Sequence, residues 1–326
     1  MKTQMAFPVI LFFAVSLSCQ QSLGCTIFTI AIGDRVLFGN NEDWYIPNTF
    51  IWFVPPDVRP GGENHGYAYV GYDENDWTGD GYPQGGINDQ GLCFDTNALP
   101  ISQLDAQPEK EPFPPAFRNW TYFLEFCTTV SDVQNWFLTH GPQTSTNVDG
   151  QIHWADSTGD AMVMSVGQDH NWAFTRRENS SFLVSTNVNL ANPFNGWPSW
   201  RYSRASSLLA NITSEENLTV EACRDVLDAT HQEGPYPTVY SNIFDLVNRD
   251  IYLYSNYTFE KTAKLNLDEE LAKGSHRYKI ADLFIEETSS ASSSSSSGLE
   301  FLITPIAVIF LGIRLRWQKN RLQKKK

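Results

Sequence analysis

Cysteine, paired histidines and basic residues are all scarce in this sequence, and each scarcity disfavours a class of protein. The five cysteines are widely spaced, which argues against a disulfide-stapled scaffold. The six histidines form no close pair, and no spacing matches a zinc site. Acids outnumber bases 37 to 23, for a net charge of −14, which argues against binding nucleic acid. The glycines at 79–86 precede no helix pattern, so a phosphate loop is not predicted, and neither is a cofactor.

Uninterrupted apolar runs of the ~20 residues that span a bilayer are also lacking, although a shorter apolar run lies near each end of the chain. Residues 1–24 carry one charge before a short apolar core, which is typical of a secretory signal peptide. The small residues Ser22 and Gly24 place a cleavage site after Gly24, and Cys25 would then be the first residue of the mature protein. Cleavage near Cys19 and a bacterial lipid-attachment signal are the alternatives.

The C-terminal end predicts a membrane anchor. Residues 288–298 are almost all serine, which is typical of a flexible linker. Residues 299–315 are mainly apolar and residues 316–326 are basic, which is the pattern of a transmembrane segment with a cytoplasmic tail. A disordered tail is the alternative. Residues 25–287 are long enough for one large domain, so the sequence predicts an exported protein held on the outer face of a membrane by a single C-terminal anchor.

The predicted domain alternates hairpins with helices, which favours an α+β fold whose helices cover sheets in layers. Hairpin turns are predicted at 33–34, 88–91, 157–160, 178–180 and 248–250, and helical patterns at 116–140 (interrupted near 128–131), 199–211 and 219–231. One disulfide is possible among Cys93, Cys127 and Cys223. Five Asn-X-Ser/Thr sequons suit a glycosylated exterior: Asn119, Asn179, Asn211, Asn217 and Asn256.

Cys25 begins the hairpin on which the functional interpretation depends. The β-branched and aromatic run 26–32 predicts a buried strand, and Gly33 supplies the positive φ that a two-residue turn needs. With the turn at 33–34, position 25 pairs with 42, and a one-residue bulge would pair it with 43. Either register brings the polar residues 40–43 beside the thiol, as in a catalytic site. The structural alternative is that Cys25 is a small buried hydrophobe.

Three further stretches suggest functional residues. Asp95-Thr-Asn97 lies at the end of a predicted strand, Ser185-Thr-Asn187 lies just past one, and Trp200-Arg-Tyr-Ser-Arg204 opens a helix. Each also has a structural alternative, because an asparagine at a strand end is commonly a turn former and an arginine at a helix start is commonly solvated.

Taken in order, these residues resemble the choloylglycine-hydrolase-type amidases of the N-terminal nucleophile superfamily, which include bile salt hydrolases, penicillin V acylases and related acyltransferases. The resemblance covers nearly the whole predicted domain. It rests on Cys25-Thr26, Phe38-Gly-Asn-Asn-Glu-Asp43, Gly86-Ile-Asn-Asp-Gln-Gly-Leu92 leading to Asn97, Asp156-Ser-Thr-Gly-Asp160, Ser185-Thr-Asn187 and Trp200-Arg201-Tyr202. It implies a four-layer αββα sandwich with the cysteine on a central strand.

The chemistry of an N-terminal cysteine fits these residues. A free thiol, with a pKa of ~8.5, is mostly protonated at neutral pH, whereas an α-amine with a pKa of ~7.7 to 8.0 can accept its proton. Cys25 would then supply both nucleophile and base, and Asp43 would orient the amine. The side-chain amide of Asn187 is the first candidate for the oxyanion donor and Asn97 the second, and Arg201 would steady the charged site.

The sequence therefore predicts a cysteine amidase that cleaves linear C–N bonds of small N-acyl amides through a thioester. Bile salt hydrolases carry an arginine where Asn40 stands, so bile salts are disfavoured as substrates. The aromatic residues Trp44, Phe50, Trp77 and Trp197 suggest an apolar acyl group, although they can equally belong to the core. The alternatives are an acyltransferase of the same fold and a non-catalytic, glycosylated surface-binding module. Oligomeric state is not predicted.

Overall fold

The chain is described here from a computed structural model, which covers residues 24–56, 64–73, 82–193 and 197–285. The predicted linker, transmembrane segment and tail lie outside these residues, as does all of the signal peptide except Gly24. Among the residues that are covered, no helix is long and apolar enough to cross a membrane. On this finding, the predicted localisation, outside a membrane on a single C-terminal anchor, is wrong.

Strands are the commonest regular structure in the described chain, and most of them pair antiparallel. In chain order they are β1 (Thr26–Ile32), β2 (Arg35–Asp43), β3 (Thr49–Val54), β4 (Tyr67–Tyr72), β5 (Tyr82–Asn88), β6 (Cys93–Leu104), β7 (Glu111–Pro112), β8 (His140–Gly141), β9 (Thr146–Ala155), β10 (Ala161–Val166), β11 (Trp172–Arg176), β12 (Phe182–Ser185), β13 (Thr238–Asp245), β14 (Asp250–Ser255), β15 (Thr258–Asn266) and β16 (His276–Lys279).

These strands form two large sheets. A six-stranded sheet has the order β12-β1-β2-β13-β14-β15, and an eight-stranded sheet has the order β11-β10-β9-β6-β5-β4-β3-β16. A separate pair, β7 and β8, is parallel. The helices are α1 (Thr121–Phe126), α2 (Val130–Thr139), α3 (Trp200–Leu209), α4 (Val220–Asp228) and α5 (Leu267–Leu271), with a 3₁₀ helix at Ile280–Phe284.

The alternation of side chains along β1 shows how the layers are built. Ile27 points into an apolar core shared by the two sheets, whereas Phe28 points into a second core between the six-stranded sheet and helices α3 and α4. A third core lies on the outer face of the eight-stranded sheet, where Trp154 packs against Phe123 of α1, which in turn packs against Phe137 of α2. Helices therefore cover both sheets, which confirms the predicted α+β sandwich of four αββα layers.

One predicted hairpin is wrong in its pairing. The turn near 178–180 lies between β11 and β12 as expected, but β11 pairs with β10 and β12 pairs with β1, so this segment crosses from one sheet to the other. The local turn pattern is the same in both cases, because turn residues report a reversal of direction and not the partner of the next strand. The hairpins at 88–91, 157–160 and 248–250 do pair as predicted: β5 with β6, β9 with β10, and β13 with β14.

The cysteines and sequons add little to the description of the fold. All four cysteines in the described residues are buried and free, so the structure contains no disulfide among Cys93, Cys127 and Cys223. The asparagines of the five sequons are all exposed. Their glycosylation stays a prediction.

Candidate active site

The hairpin of β1 and β2 places Cys25 next to a carboxylate. Ile32 pairs with Arg35 and Thr26 with Asn41, so the predicted register without a bulge is confirmed, and position 25 faces position 42. The Cys25 thiol donates a hydrogen bond to Glu42 Oε2 over 3.4 Å. Alternation along β2 points Glu42 between the sheets and Asp43 towards the helical layer over this sheet. The two neighbouring acids therefore lie on opposite faces of the sheet, one on each side of Cys25.

A cavity of about 390 Å³ opens beside the thiol, where the two sheets meet. Cys25, Asp43, Asn97 and Asn187 all line it. Arg201 contacts two of these residues, since its guanidinium donates to Asp43 and to Asn187, each over 3.2 Å. The structure thus brings together all five residues that the sequence singled out, although their catalytic roles stay predictions.

Asp43 is held by a dense set of donors. Gln232 Nε2 donates to its Oδ2 over 2.7 Å, Arg201 reaches the same oxygen, and the Thr238 hydroxyl donates to Oδ1. Arg201 and Gln232 also donate to the carbonyl oxygen of Gly24, the residue that precedes the thiol. The backbone before Cys25 and the carboxylate of Asp43 therefore share two donors. Sequence reasoning missed Gln232 and Thr238, because both lie about two hundred residues along the chain from Asp43.

Asn97 presents a free amide group to the site. Gln151 Nε2 donates to the carbonyl oxygens of Thr186 and Val188, at 2.6 and 3.0 Å, and to Asn97 Oδ1 at 3.3 Å. Two backbone carbonyls can accept only from an NH₂ group, which fixes the orientation of Gln151, and its NH₂ faces the Oδ1 of Asn97. The Nδ2 of Asn97 is buried without a hydrogen-bond partner in the described part of the chain.

Asn187 is more fully engaged. Its Nδ2 donates to the carbonyl oxygen of Ala98 over 2.9 Å, and its Oδ1 accepts from Arg201. Both halves of the amide therefore have partners, in contrast to Asn97. The sequence ranked Asn187 above Asn97 as the oxyanion donor, and these hydrogen bonds do not support that order.

Glu42 and Tyr72 form a buried pair that the sequence interpretation did not assign to catalysis. The Tyr72 hydroxyl donates to Glu42 Oε1 over 2.6 Å, while Oε2 accepts from the Cys25 thiol. Glu42 is only 3% exposed, yet it lines the cavity with Tyr72. Its position directly across the hairpin from Cys25 was predictable, but the tyrosine comes from β4 of the other sheet.

Burial dominates the electrostatics of the site. It raises the pKa of the Cys25 thiol well above its usual value, and the charges of Glu42 and Asp43 add to the effect. Burial also raises the pKa of Glu42 to about 7 and that of Asp43 to about 7, although hydrogen bonds from Tyr72 and Thr238 oppose the shift. Burial lowers the pKa of Arg201, against the attraction of Asp43. Carboxyl groups with a pKa near 7 can exchange protons at neutral pH.

One of the four aromatic residues that the sequence indicated for the acyl group lines the cavity. Trp44 lines the cavity, together with Tyr45, Tyr82 and Trp120. Phe50 instead lies under the guanidinium of Arg277, and Trp197 packs against Tyr202 with ring centroids 4.2 Å apart. Trp77 lies outside the described residues. The cavity wall is therefore aromatic, but largely through residues that the sequence did not indicate.

With this geometry in hand, the fold can be compared with solved structures. Penicillin V acylase from Agrobacterium tumefaciens is 17% identical, with a TM-score of 0.58, over 78% of this chain and 91% of that one. A variant of conjugated bile acid hydrolase from Clostridium perfringens is 16% identical, with a TM-score of 0.59, over 78% and 97% of the two chains. This chain has the N-terminal nucleophile hydrolase fold. The family resemblance seen in the motifs is thereby confirmed at the level of the fold.

No protein-family model and no curated protein matches the sequence. The N-terminal nucleophile hydrolase fold is therefore visible in the backbone at an identity of 15 to 17%. Identity this low leaves the chemistry to be argued from the side chains around Cys25.

Proposed function

We propose that the protein is a cysteine amidase that hydrolyses linear amide bonds of small N-acyl compounds. One observation carries the proposal: the Cys25 thiol lies in a cavity together with Asp43, Asn97 and Asn187, and Arg201 bridges two of these residues. Two solved neighbours are named as a penicillin V acylase and a conjugated bile acid hydrolase, which agrees with this chemistry. The α-amine of Cys25, once freed from Gly24, would be the general base.

In the first step the α-amine takes the thiol proton, and the sulfur attacks the amide carbonyl carbon to form a C–S bond. The carbonyl electron pair moves onto oxygen, where it needs preorganised donors. The unengaged Nδ2 of Asn97 would supply one, and Asn187 would supply a second only by leaving Ala98. Asp43 holds the ammonium that results, and Arg201 and Gln232 hold Asp43.

Collapse of the tetrahedral intermediate breaks the C–N bond, and the ammonium gives its proton to the departing amine. A thioester on Cys25 remains. Water then attacks the thioester carbon with the α-amine as base, which releases the carboxylic acid and restores the thiol. The aromatic wall at Trp44, Tyr45, Tyr82 and Trp120 suits an apolar acyl group.

The proposal is tested with purified protein whose chain begins at Cys25, assayed against N-acyl amino acids, lactams and lactones. We expect release of a free acid from at least one linear amide, and a thioester adduct on Cys25 detectable by mass spectrometry of quenched enzyme. Cys25→Ala should abolish turnover. Assays with and without added amines separate hydrolysis from acyl transfer, because a transferase forms a new amide when an amine is present.

Cys127 offers a matched control for the loss of a thiol. It is 7% exposed, close to the 6% of Cys25, and lies at the end of α1. Cys127→Ala should therefore keep wild-type turnover, provided that its unfolding temperature is similar. Wild-type activity in Cys25→Ala would overturn the nucleophile assignment, and a well-folded protein without activity on any substrate would favour a binding module.

A further inference from the structure

Glu42 occupies a position that the proposed amidase mechanism does not use. Its two carboxylate oxygens are divided between the reacting sulfur of Cys25, at 3.4 Å, and the hydroxyl of Tyr72, at 2.6 Å. All three groups lie between the sheets and line the cavity. A carboxylate that accepts a hydrogen bond from a nucleophilic thiol is within reach of its proton.

The groups that surround Glu42 between the sheets favour one negative charge there. The ionisable groups whose charges interact with it are the Cys25 thiol just before β1, Tyr72 from β4, Tyr82 from β5, Asp95 from β6 and Tyr240 from β13, with Asp43 next to it in the chain. Every one of these groups is an acid. Burial raises the pKa of Asp95 well above its usual value and so favours its neutral form. Asp43 points to the helical side of the sheet and pairs with Arg201, so the negative charge between the sheets falls on Glu42 or, after proton transfer, on Cys25.

We propose that the Glu42 carboxylate is a second acceptor for the Cys25 thiol proton and works beside the α-amine. This inference rests on the amidase function proposed above. The proton moves from sulfur to Glu42 Oε2 as the sulfur bonds to the amide carbon, and Glu42 returns it to the nitrogen of the leaving amine as the C–N bond breaks. Glu42 ends the step as a carboxylate, so atoms and charge balance. Transfer between the two groups leaves the net charge of the buried cluster unchanged, which avoids a new desolvation cost.

Tyr72 influences the pKa of Glu42, the proposed second acceptor. Its hydroxyl stabilises the charged form of Glu42 and opposes the effect of burial, which raises the pKa of Glu42 to about 7. That value lies close to neutrality, where a general base is most effective. Removal of the hydroxyl should therefore raise the pKa of Glu42 and move the acid limb of the activity profile to higher pH.

Alkylation of Cys25 by iodoacetamide tests the proton pairing without any substrate. The protein retains Gly24, as in the structure, so that no α-amine adjoins the thiol. In Glu42→Gln the negative charge next to the sulfur is lost, and the pH midpoint of alkylation should fall by about one unit or more. In the chain that begins at Cys25, the same substitution should lower kcat/KM at least about tenfold. Loss of a sole general base lowers the rate by roughly 10²–10⁴, and we expect a smaller effect here because the α-amine remains.

Glu42→Gln should therefore have a thiol that is alkylated at lower pH and a lower kcat/KM. Loss of packing in a protein that stays folded would not produce both changes. Peptide mapping checks the fold, because unfolding would also expose Cys93, Cys127 and Cys223, which are buried. Tyr72→Phe is the second variant, with the upward shift of the acid limb as its readout. Glu270→Gln is the matched control: Glu270 is 4% exposed and accepts from the Tyr278 hydroxyl over 3.1 Å, in a cluster with Lys273 and His276. It should leave the alkylation midpoint unchanged.

The possible outcomes separate this inference from the proposed function. An unchanged alkylation midpoint in Glu42→Gln would overturn the pairing, whatever the substrate is. A lowered midpoint with unchanged kcat/KM would overturn the acceptor role. A lowered midpoint in a protein that turns over no amide would count against the proposed amidase and leave the proton pairing standing.

Discussion

At the scale of single residues, the site depends on which polar atoms are left without partners. Asn97 lies in the first half of β6 and Asn187 lies two residues beyond β12, and the sequence ranked Asn187 first. In the structure Asn187 is bonded through both halves of its amide, whereas the NH₂ of Asn97 is buried and unpartnered among the described residues. A buried donor without a partner costs free energy, and a site for a developing oxyanion would account for it.

Asn97→Asp tests this difference with little change in shape. The substitution replaces the NH₂ donor with an oxygen, while Gln151 can still donate to the other oxygen. We expect kcat to fall by roughly 10²–10³ with a smaller change in KM, because an oxyanion donor acts mainly in the transition state. Asn187→Ala, assayed in parallel, should lower kcat less. Steady-state kinetics would contradict the assignment if Asn97→Asp kept wild-type kcat while Asn187→Ala lost it.

Much of the site was predictable at this scale, but its supporting residues were not. Cys25, Asp43, Asn97, Asn187 and Arg201 were all found from local motifs, and the cavity unites four of them directly. The residues that orient them come from distant segments, as Gln151, Tyr72, Gln232 and Thr238 show. A lone glutamine or tyrosine carries no local signal, because its role is set by the strand that lies beside it in space.

At the scale of elements, hairpins were predictable and sheet membership was not. The β1–β2 register followed from the Gly33-Asp34 turn and is confirmed. The β11–β12 pairing failed, because β12 joins β1 at the edge of the other sheet. That crossing places Ser185 opposite Ile27 and carries Asn187 towards the cavity. The β11–β12 connection, whose pairing the sequence did not predict, is therefore the one that brings Asn187 to the site.

His153 links the two sheets at this level. It lies on β9 of the eight-stranded sheet, and its ring nitrogens contact Thr29 of β1 and Ser185 of β12, each at 2.9 Å. The ring is fully buried, and burial lowers its pKa from 6.5 to about 3. The imidazole is therefore neutral in the folded protein, and one nitrogen donates while the other accepts.

This buried histidine makes a contribution to stability that is lost in acid. Between its folded pKa of about 3 and its unfolded value of 6.5, only the unfolded chain binds the proton, so the histidine's contribution to the free energy of unfolding falls as the pH falls. The limiting slope is about 1.4 kcal/mol per pH unit. Glu42 and Asp43, whose pKa values are raised, act in the opposite direction, because ionisation opposes their burial as the pH rises towards 7.

A comparison with His153→Gln isolates the contribution of the histidine, since glutamine can keep one of the two hydrogen bonds but does not titrate. Urea unfolding of both proteins from pH 7.5 to 4.5 should show the stability advantage of the wild type shrinking, or reversing, as the pH falls. Parallel curves for the two proteins would show that His153 does not titrate differently in the folded and unfolded chains.

At the scale of the whole molecule, the fold gathers one site from the start of the described chain and from its middle. Cys25 directly precedes β1, β6 brings Asn97, the segment after β12 brings Asn187, and α3 brings Arg201. Helices α3 and α4 cover the sheet that carries Asp43. Asn41 of β2 links this sheet to α4, because its side-chain amide donates to the Leu227 carbonyl over 2.8 Å. The packing of α3 on this sheet therefore holds Arg201 against Asp43.

The position of Gly24 within this assembly gives the last prediction. Gly24 lines the cavity, and its carbonyl oxygen occupies donors of Arg201 and Gln232 that also serve Asp43. While the Gly24–Cys25 bond is intact, the nitrogen of Cys25 is a peptide amide without useful basicity, so the proposed α-amine base does not exist. Loss of Gly24 would free that amine, release two donors and open the cavity next to the thiol.

Two chains that differ by one residue test this. One is made to begin Met-Cys25 and the other Met-Gly24, and removal of the methionine leaves Cys25 or Gly24 at the N-terminus, as N-terminal sequencing and intact mass would verify. Both should fold with similar unfolding temperatures, because Gly24 precedes the first strand. The chain that begins at Cys25 should have the higher kcat/KM by about 10² or more, the contribution typical of a general base. Equal rates in two verified chains would mean that the α-amine is not the base, and the reactivity of Cys25 would then have to come from side chains alone, with Glu42 the nearest acceptor.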